Sequence, residues 1–370
     1  PDIRLIYWAG GNPFHHHQDL NRLLAAWQSK PETIVVHEQY WTPTAKLADI
    51  VLPATTAMER EDIGYATRER YMVAMKRLIA PVGEARDDYA IFSDLAERLG
   101  VREAFTEGRD ARDWLSLMYE QSRQRAAQAG IELPPFDDFW TRGLLDLAQP
   151  EAEVVMLDRF RADPQSHPLA TPSGRIELFS ERIASFGYDD CPGHACWLEP
   201  LEWLGSPAAV RFPLHLISDQ PHTKLHSQLD HAACSQANKV DGREPLTLCR
   251  IDAEARGLKA GDLVRVFNAR GACLAALRIS DALRPGVARM STGAWFDPTS
   301  WLASGPGNVE RHGNPNVLTP DIGASRLSQG CMAQTCLVEV ERCTSPETRP
   351  TPYLLPEFVG TAHPHEPACT

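Results

Sequence analysis

The pattern that most limits what this chain can become lies in its second half. Between residues 211 and 342 the sequence breaks into six short apolar runs, 214–217, 245–248, 263–268, 272–279, 287–290 and 334–340. Each has strand length, and turn residues separate them, Ala260-Gly261-Asp262 and Arg270-Gly271 among them. A short helix is expected at 251–256, stopped by Gly257. Runs this short cannot cover one another as isolated hairpins, so the pattern predicts a compact barrel.

The first run empties into a segment dense in hydrogen-bonding groups: Ser218, Asp219, Gln220, His222, Thr223, Lys224, His226, Ser227, Gln228 and Asp230. It contains no glycine and one proline, Pro221, so it lacks the padding of a plain connector. A solvated loop and a ligand loop both fit that composition. Two comparable polar loops lie near Asn12 and Asn316. Three such loops converging would suit one large polar ligand. The stretch 301–330 is rich in Gly, Asn and Pro, with Trp295, Phe296 and Trp301 at its entry. A loop that long in a compact domain is usually functional or disordered.

The N-terminal part reads as α/β. Apolar runs at 3–8, 33–36 and 48–52 predict strands, and Leu20, Leu23, Leu24 and Trp27 share one helical face. Short segments between them favour a parallel sheet with helices on its faces. The chain opens on Pro1 with no initiator Met or signal peptide, and reads as starting inside a domain whose sheet upstream strands complete. His15, His16 and His17 cannot all reach one ion from a helix, because neighbours point about 100° apart. One of them, at a helix start, can meet an anion or polar group beside free N–H groups. Glu38 follows the second strand, where an acid often accepts from ribose hydroxyls; a solvated Glu is the alternative. A further strand is expected within 66–75. A helix is expected at 89–99, capped by Asp87 or Asp88 and stopped by Gly100.

Residues 101–210 lose this rhythm. Helices are expected at 114–127 and 136–147, a turn at 171–174, an alternating strand at 175–179, and a linker at 190–210. The Pro-rich stretch 343–370 reads as a loose tail.

The net charge of −12, from 37 basic and 49 acidic residues, argues against a nucleic-acid surface. It leaves room for local phosphate pockets around Lys224, Arg243 or Arg60. No apolar run approaches membrane-spanning length. The nine Cys include no CxxC pair; Cys191, His194 and Cys196 read as a metal knuckle or as incidental thiols. Sparse Cys lean towards a reducing compartment. No GxGxxG follows a strand, which disfavours an ordinary NAD-dependent dehydrogenase.

The segments GGNP, HHHQ, ADIVLPATTAMEREDIG, SDQPHTKLHSQLD, GREPLTL, DLVRVFNARG, STGAWFDP, HGNPNVLT and AQTCLVEVE, in that order, resemble the C-terminal half of a molybdopterin oxidoreductase. The branch they resemble holds the dimethyl sulfoxide, trimethylamine N-oxide and biotin sulfoxide reductases. The resemblance implies a partial Rossmann-like domain at 1–100, a connecting region at 101–210 and a six-stranded, double-psi-like molybdopterin-dinucleotide barrel at 211–342, with the tail at 343–370. It also implies a bis(molybdopterin guanine dinucleotide) molybdenum cofactor. Asn12 and His16 would meet one dinucleotide, with His37 and Glu38 near its ribose, Arg60 near the pyrophosphate and Asp88 on a guanine. Ser218, Asp219, Gln220, Pro221, Lys224 and His226 would line pterin and phosphates, and Asn316 and Gln334 the second pterin. The molybdenum ligand of that family lies upstream, so no residue here is assigned as catalytic or as a metal ligand, and this chain alone is expected to be inactive. The implied activity is oxygen-atom transfer from an S-oxide or N-oxide, biotin-sulfoxide-reductase-like, with the electron donor open. The implied location is cytoplasmic, with periplasmic as the alternative. The rival readings are a non-catalytic nucleotide-binding fragment and another molybdopterin enzyme, such as a formate dehydrogenase or nitrate reductase.

Overall fold

A computed structural model describes residues 2–66, 69–147, 155–303, 305, 307–330, 335–344 and 349–357. The chain forms two compact units. The first takes Pro1–Val36, Tyr40–Ile50 and Leu178–Thr370; the second takes His37–Gln39 and Val51–Glu177.

Strands β1 (Leu5–Ala9), β2 (Thr33–Glu38) and β3 (Ile50–Pro53) form a three-stranded sheet in that order. The backbone bonds from Asp49 to Ile34 and from Ala54 to Glu38 climb together, so β2 and β3 run parallel, as expected. β2 and β3 each pass from the first unit into the second. Helix Leu20–Ser29 begins where Asp19 accepts from the Arg22 N–H, and buries Leu20, Leu24 and Trp27.

In the second unit β4 (Asp62–Gly64), β5 (Tyr71–Met75) and β6 (Leu144–Asp146) form an antiparallel sheet. β5 alternates, with Met72 and Ala74 turned inward. They pack with Leu115 and Tyr119 of helix Ala111–Gln128 and with Phe136, Phe139 and Trp140 of helix Phe136–Arg142. The expected helix at 136–147 stops short, because Gly143 takes a left-handed C-cap and the chain turns into β6. Helix Asp88–Arg98 is capped by Asp87, which accepts from the Ala90 N–H.

The barrel belongs to the first unit. β7 (Leu214–Ile217), β8 (Pro245–Leu248), β9 (Leu263–Phe267), β10 (Ala272–Ile279) and β11 (Val287–Met290) follow, then the two-residue β12 (Val309–Glu310) and β13 (Thr335–Arg342). Their order is β12-β10-β8-β11-β7-β13-β9, and β9 also pairs with β10. That last pairing closes a six-membered ring and leaves β12 as an outside strand. Inward residues such as Leu216, Leu246, Val266, Ala275 and Val338 fill the ring, and Phe14, Leu20 and Trp27 join the same core.

Two expectations are corrected. Residues 175–179 form no strand; the alternation there finds no partner strand, and Ile176 and Leu178 lie exposed. The tail expected to be loose is docked at its middle, where Thr351 donates to Asp297 and Tyr353 to Asp230.

Candidate functional site

β7 and β11 pair in parallel, so the loops that follow them leave the same end of the barrel. Residues 291–297 run beside the segment after β7. The Thr292 N–H donates to the Asp219 carbonyl at 2.9 Å, and the Ser291 hydroxyl to its carboxylate at 3.0 Å. At Gly293 the backbones almost touch: a Cβ there would stand 1.8 Å from the His226 carbonyl oxygen. The Trp295 indole N–H donates to the Ser227 carbonyl at 3.0 Å.

The loop near Asn12 joins the same cluster. Pro13–His16 is one helical turn, and it directs His15 inward while His16 and His17 stay exposed, their rings tilted against each other at 4.9 Å. The His15 ring lies on Trp295 at 5.5 Å, and its Nδ1 meets the Ser227 hydroxyl. Asn12 is buried and accepts from the Thr44 hydroxyl. The third loop closes the set: the Asn316 amide donates to the His15 carbonyl at 3.3 Å, and Asn314 to the Ala294 carbonyl at 2.9 Å. The loops near Asn12, after β7 and around Asn316 are thus tied together within one unit.

Beneath them lies a square of buried charge. The Lys224 ammonium pairs with Asp230 at 2.6 Å and with Glu244; Lys239 pairs with the same two carboxylates at 3.0 and 2.9 Å. All four side chains are at most 1 % exposed. Burial opposes the Lys224 charge, but Asp230 and Glu244 overcome it and hold the ammonium above its usual range. Lys224, expected to face phosphates, is therefore turned inward to carboxylates. Glu310 plays a matching part in the third loop. Its carboxylate accepts from the N–H groups of Asp297, His312, Gly313 and Asn314 at 2.7–3.1 Å.

Several buried polar atoms here have no hydrogen-bond partner among the described residues: His15 Nε2, Ser218 Oγ and Thr223 Oγ1. Burying such atoms without partners costs about 1–3 kcal/mol each, so an outside partner for them is physically favoured. Gln220 is exposed and donates to the Lys224 carbonyl, Pro221 is buried, and His226 is exposed with a left-handed φ of 51°. Gln334 lies outside the described residues.

The second unit carries its own polar set. His37, buried at the end of β2, meets the exposed Asp88 carboxylate through Nδ1 at 2.7 Å and packs on Phe92. Asp88 opens its helix, so one of its oxygens is fixed by His37 beside free helix N–H groups. Glu38 accepts from the Gln39 N–H, and Arg60 pairs with Asp62. An apolar hollow of about 580 Å³ on this unit, lined by Tyr65, Tyr71, Val73 and Leu144, includes none of these groups.

Residues 214–337 match the family described as molydopterin dinucleotide binding domain, and residues 1–98 match molybdopterin oxidoreductase. The chain belongs to the molybdopterin oxidoreductases. It is 51 % identical to biotin sulfoxide reductase of Cereibacter sphaeroides over 92 % of this chain and 45 % of that protein. It is 44 % identical to dimethyl sulfoxide/trimethylamine N-oxide reductase of Rhodobacter capsulatus, over 96 % of this chain and 43 % of that protein. The chain thus spans less than half the length of these curated relatives. In fold it is similar to acetylene hydratase from Pelobacter acetylenicus, with a TM-score of 0.67 at 21 % identity, over 92 % of this chain and 44 % of that one. Among the described residues no group of three His, Cys, Asp or Glu is placed to hold a metal ion, and no helix is long and apolar enough to cross a membrane.

For this molybdopterin oxidoreductase chain, sequence reasoning passed over His15, Glu310 and the partners of Lys224. Only the triple His gave a signal for His15, and spacing alone does not choose among the three. Burial holds His15 and His312 neutral, each lowered to about 3. A histidine lowered on folding contributes stability above its unfolded value near 6.5, and loses it as the pH falls. Denaturant titrations from pH 7.5 to 5.5 are expected to show a loss of about 1.4 kcal/mol per histidine. A flat profile across that window would mean that neither ring is held neutral.

Proposed function

We propose that this chain works as part of a bis(molybdopterin guanine dinucleotide) molybdenum reductase of S-oxides or N-oxides, with biotin sulfoxide the favoured class of substrate. The observation that carries the reading is the set of buried atoms without partners among the described residues, His15 Nε2, Ser218 Oγ and Thr223 Oγ1, on loops bonded to one another at the barrel end. Such atoms suit a large ligand rich in donors and acceptors, as a pterin with its phosphates is. Identity of 44–51 % to sulfoxide and N-oxide reductases supports the same reading.

The group, when bound, supplies the oxygen-atom transfer chemistry. This chain's residues bind and orient it. In the first unit the loop atoms after β7 and His15 hold polar edges, with Asn12, His16, Asp219, Gln220, Pro221, His226 and Asn316 around them. In the second unit Asp88, steadied by His37, accepts from a guanine; Glu38 accepts from a ribose and Arg60 meets a pyrophosphate. A cytoplasmic location goes with the favoured substrate class.

Metal and nucleotide analysis of the full-length protein tests this. Molybdenum with two GMP per chain, released by acid, is expected. Asp88→Ala is expected to weaken nucleotide retention about tenfold, the usual effect of losing a charged hydrogen-bond partner. Neither molybdenum nor GMP, in a host that makes the cofactor, would sink the proposal.

A further inference from the structure

We propose that Tyr353 is a positioning residue, which fixes the polar loop after β7 through Asp230 and thereby makes the strap at 349–357 part of the cofactor-binding apparatus. The cofactor half of this statement rests on the function proposed above.

Asp230 is fully buried, and its carboxylate gathers donors from four places. Oδ1 takes the ammoniums of Lys224 and Lys239 at 2.6 and 3.0 Å. Oδ2 takes the Trp295 N–H at 3.2 Å and the Tyr353 hydroxyl at 2.7 Å. Tyr353 in turn accepts from the Gln236 amide at 2.9 Å, and that same amide donates to the Asp230 carbonyl at 2.7 Å. Hydroxyl and amide together clamp both the side chain and the backbone of residue 230.

The loop needs that clamp. His226 and Leu229 both sit in the left-handed region, at φ of 51° and 52°. Non-glycine residues persist there only where surrounding contacts over-determine the conformation. The Tyr353 ring also packs on Trp295 and His312, both at 5.4 Å. Trp295 stacks on His15, whose Nε2 has no partner among the described residues. A continuous line of contact therefore runs from the strap through Trp295 to a site atom.

The strap itself is anchored by separate segments. The Thr351 N–H donates to Asp297 at 2.7 Å, Arg311 donates to the Thr351 hydroxyl at 2.8 Å, and Lys46 donates to the Pro352 carbonyl at 2.7 Å. A segment held by three bonds at two consecutive residues, Thr351 and Pro352, can hold something else in turn.

The test is Tyr353→Phe in the full-length protein, made in hosts with and without cofactor synthesis. Amide exchange over 218–232 and 291–297 is expected to quicken about tenfold in both preparations, with 263–267 and 272–279 unchanged. Molybdenum and GMP per chain are expected to fall about threefold relative to wild type, and the visible spectrum of the occupied fraction to shift. Unchanged loop exchange, or equal acceleration in the barrel strands, would overturn the proposal. So would quickened loop exchange with undiminished cofactor content. Wild-type protein lacking molybdenum and GMP, with the loop effect intact, would sink the cofactor reading and leave the hold on the loop standing. If Tyr353→Phe yields too little folded protein, Gln236→Met removes the other half of the clamp and is read the same way.

Discussion

Replacing Lys224 with methionine is expected to destabilise the protein by about 3–5 kcal/mol, the usual cost of removing one partner from a buried ion pair. Methionine fills the volume, so the loss is electrostatic. Asp230 keeps Lys239, the Trp295 N–H and the Tyr353 hydroxyl. Among the described residues Glu244 keeps only Lys239 for one oxygen, and its other oxygen already has no hydrogen-bond partner. The square is left with two carboxylates and one ammonium. The variant therefore gains stability from binding a proton there, and its folded carboxyl value rises. A raised carboxyl value penalises the variant most at high pH, so the gap from wild type is expected to narrow on acidification from pH 8 to 5.5. Urea midpoints for both proteins at the two pH values measure this. A gap under about 1 kcal/mol at pH 8 would show that the square contributes nothing beyond a surface pair.

The second large effect is at Glu310. Burial pushes its carboxyl up, to about 8, while the N–H groups of Asn314, His312 and Gly313 pull it down. The four backbone groups that touch it are all donors. A protonated carboxyl would turn an O–H towards an N–H, so the ionised form is the one that fits. Glu310→Ala strips the acceptor from all four, and a loss of about 4 kcal/mol is expected, allowing for partial rescue by water. Glu310→Gln keeps the volume and one acceptor but aims an NH₂ at N–H donors, so it is expected to lose at least half as much. A glutamine variant as stable as wild type would mean that the carboxyl is neutral and donates.

Much of this was legible in the residues. Short apolar runs marked every strand of the closed ring, most of them to within a residue, because each is bounded by turn residues that end pairing. Asp87, Asp19 and Gly143 mark helix ends through local chemistry alone, which sequence exposes; of these, only Asp87 is among the expected ends, with Asp88 as its alternative. The hidden part was long-range. Lys224, Asp230, Lys239 and Glu244 follow no helical or strand period, so nothing in their spacing announces a square. His15 turns inward because Trp295, nearly three hundred residues away, offers it a face. The alternation at 175–179 failed for the converse reason: a pattern predicts a strand only where a neighbour is present to accept its hydrogen bonds.

The division of the chain also sets an order of assembly. The second unit takes almost all its residues from one continuous stretch, Val51–Glu177, with only His37–Gln39 from earlier. The first unit draws on both ends, and its ring closes only when β13 slots between β7 and β9. At about 5–20 residues per second, synthesis leaves the first fifty residues waiting on the order of ten seconds or more for the strand that completes their core. During that wait Phe14, Leu20, Leu24 and Trp27 lack most of the surface they end up buried against. Those residues are therefore more open to chaperone capture during synthesis than Val51–Glu177, which already has nearly everything it needs to condense.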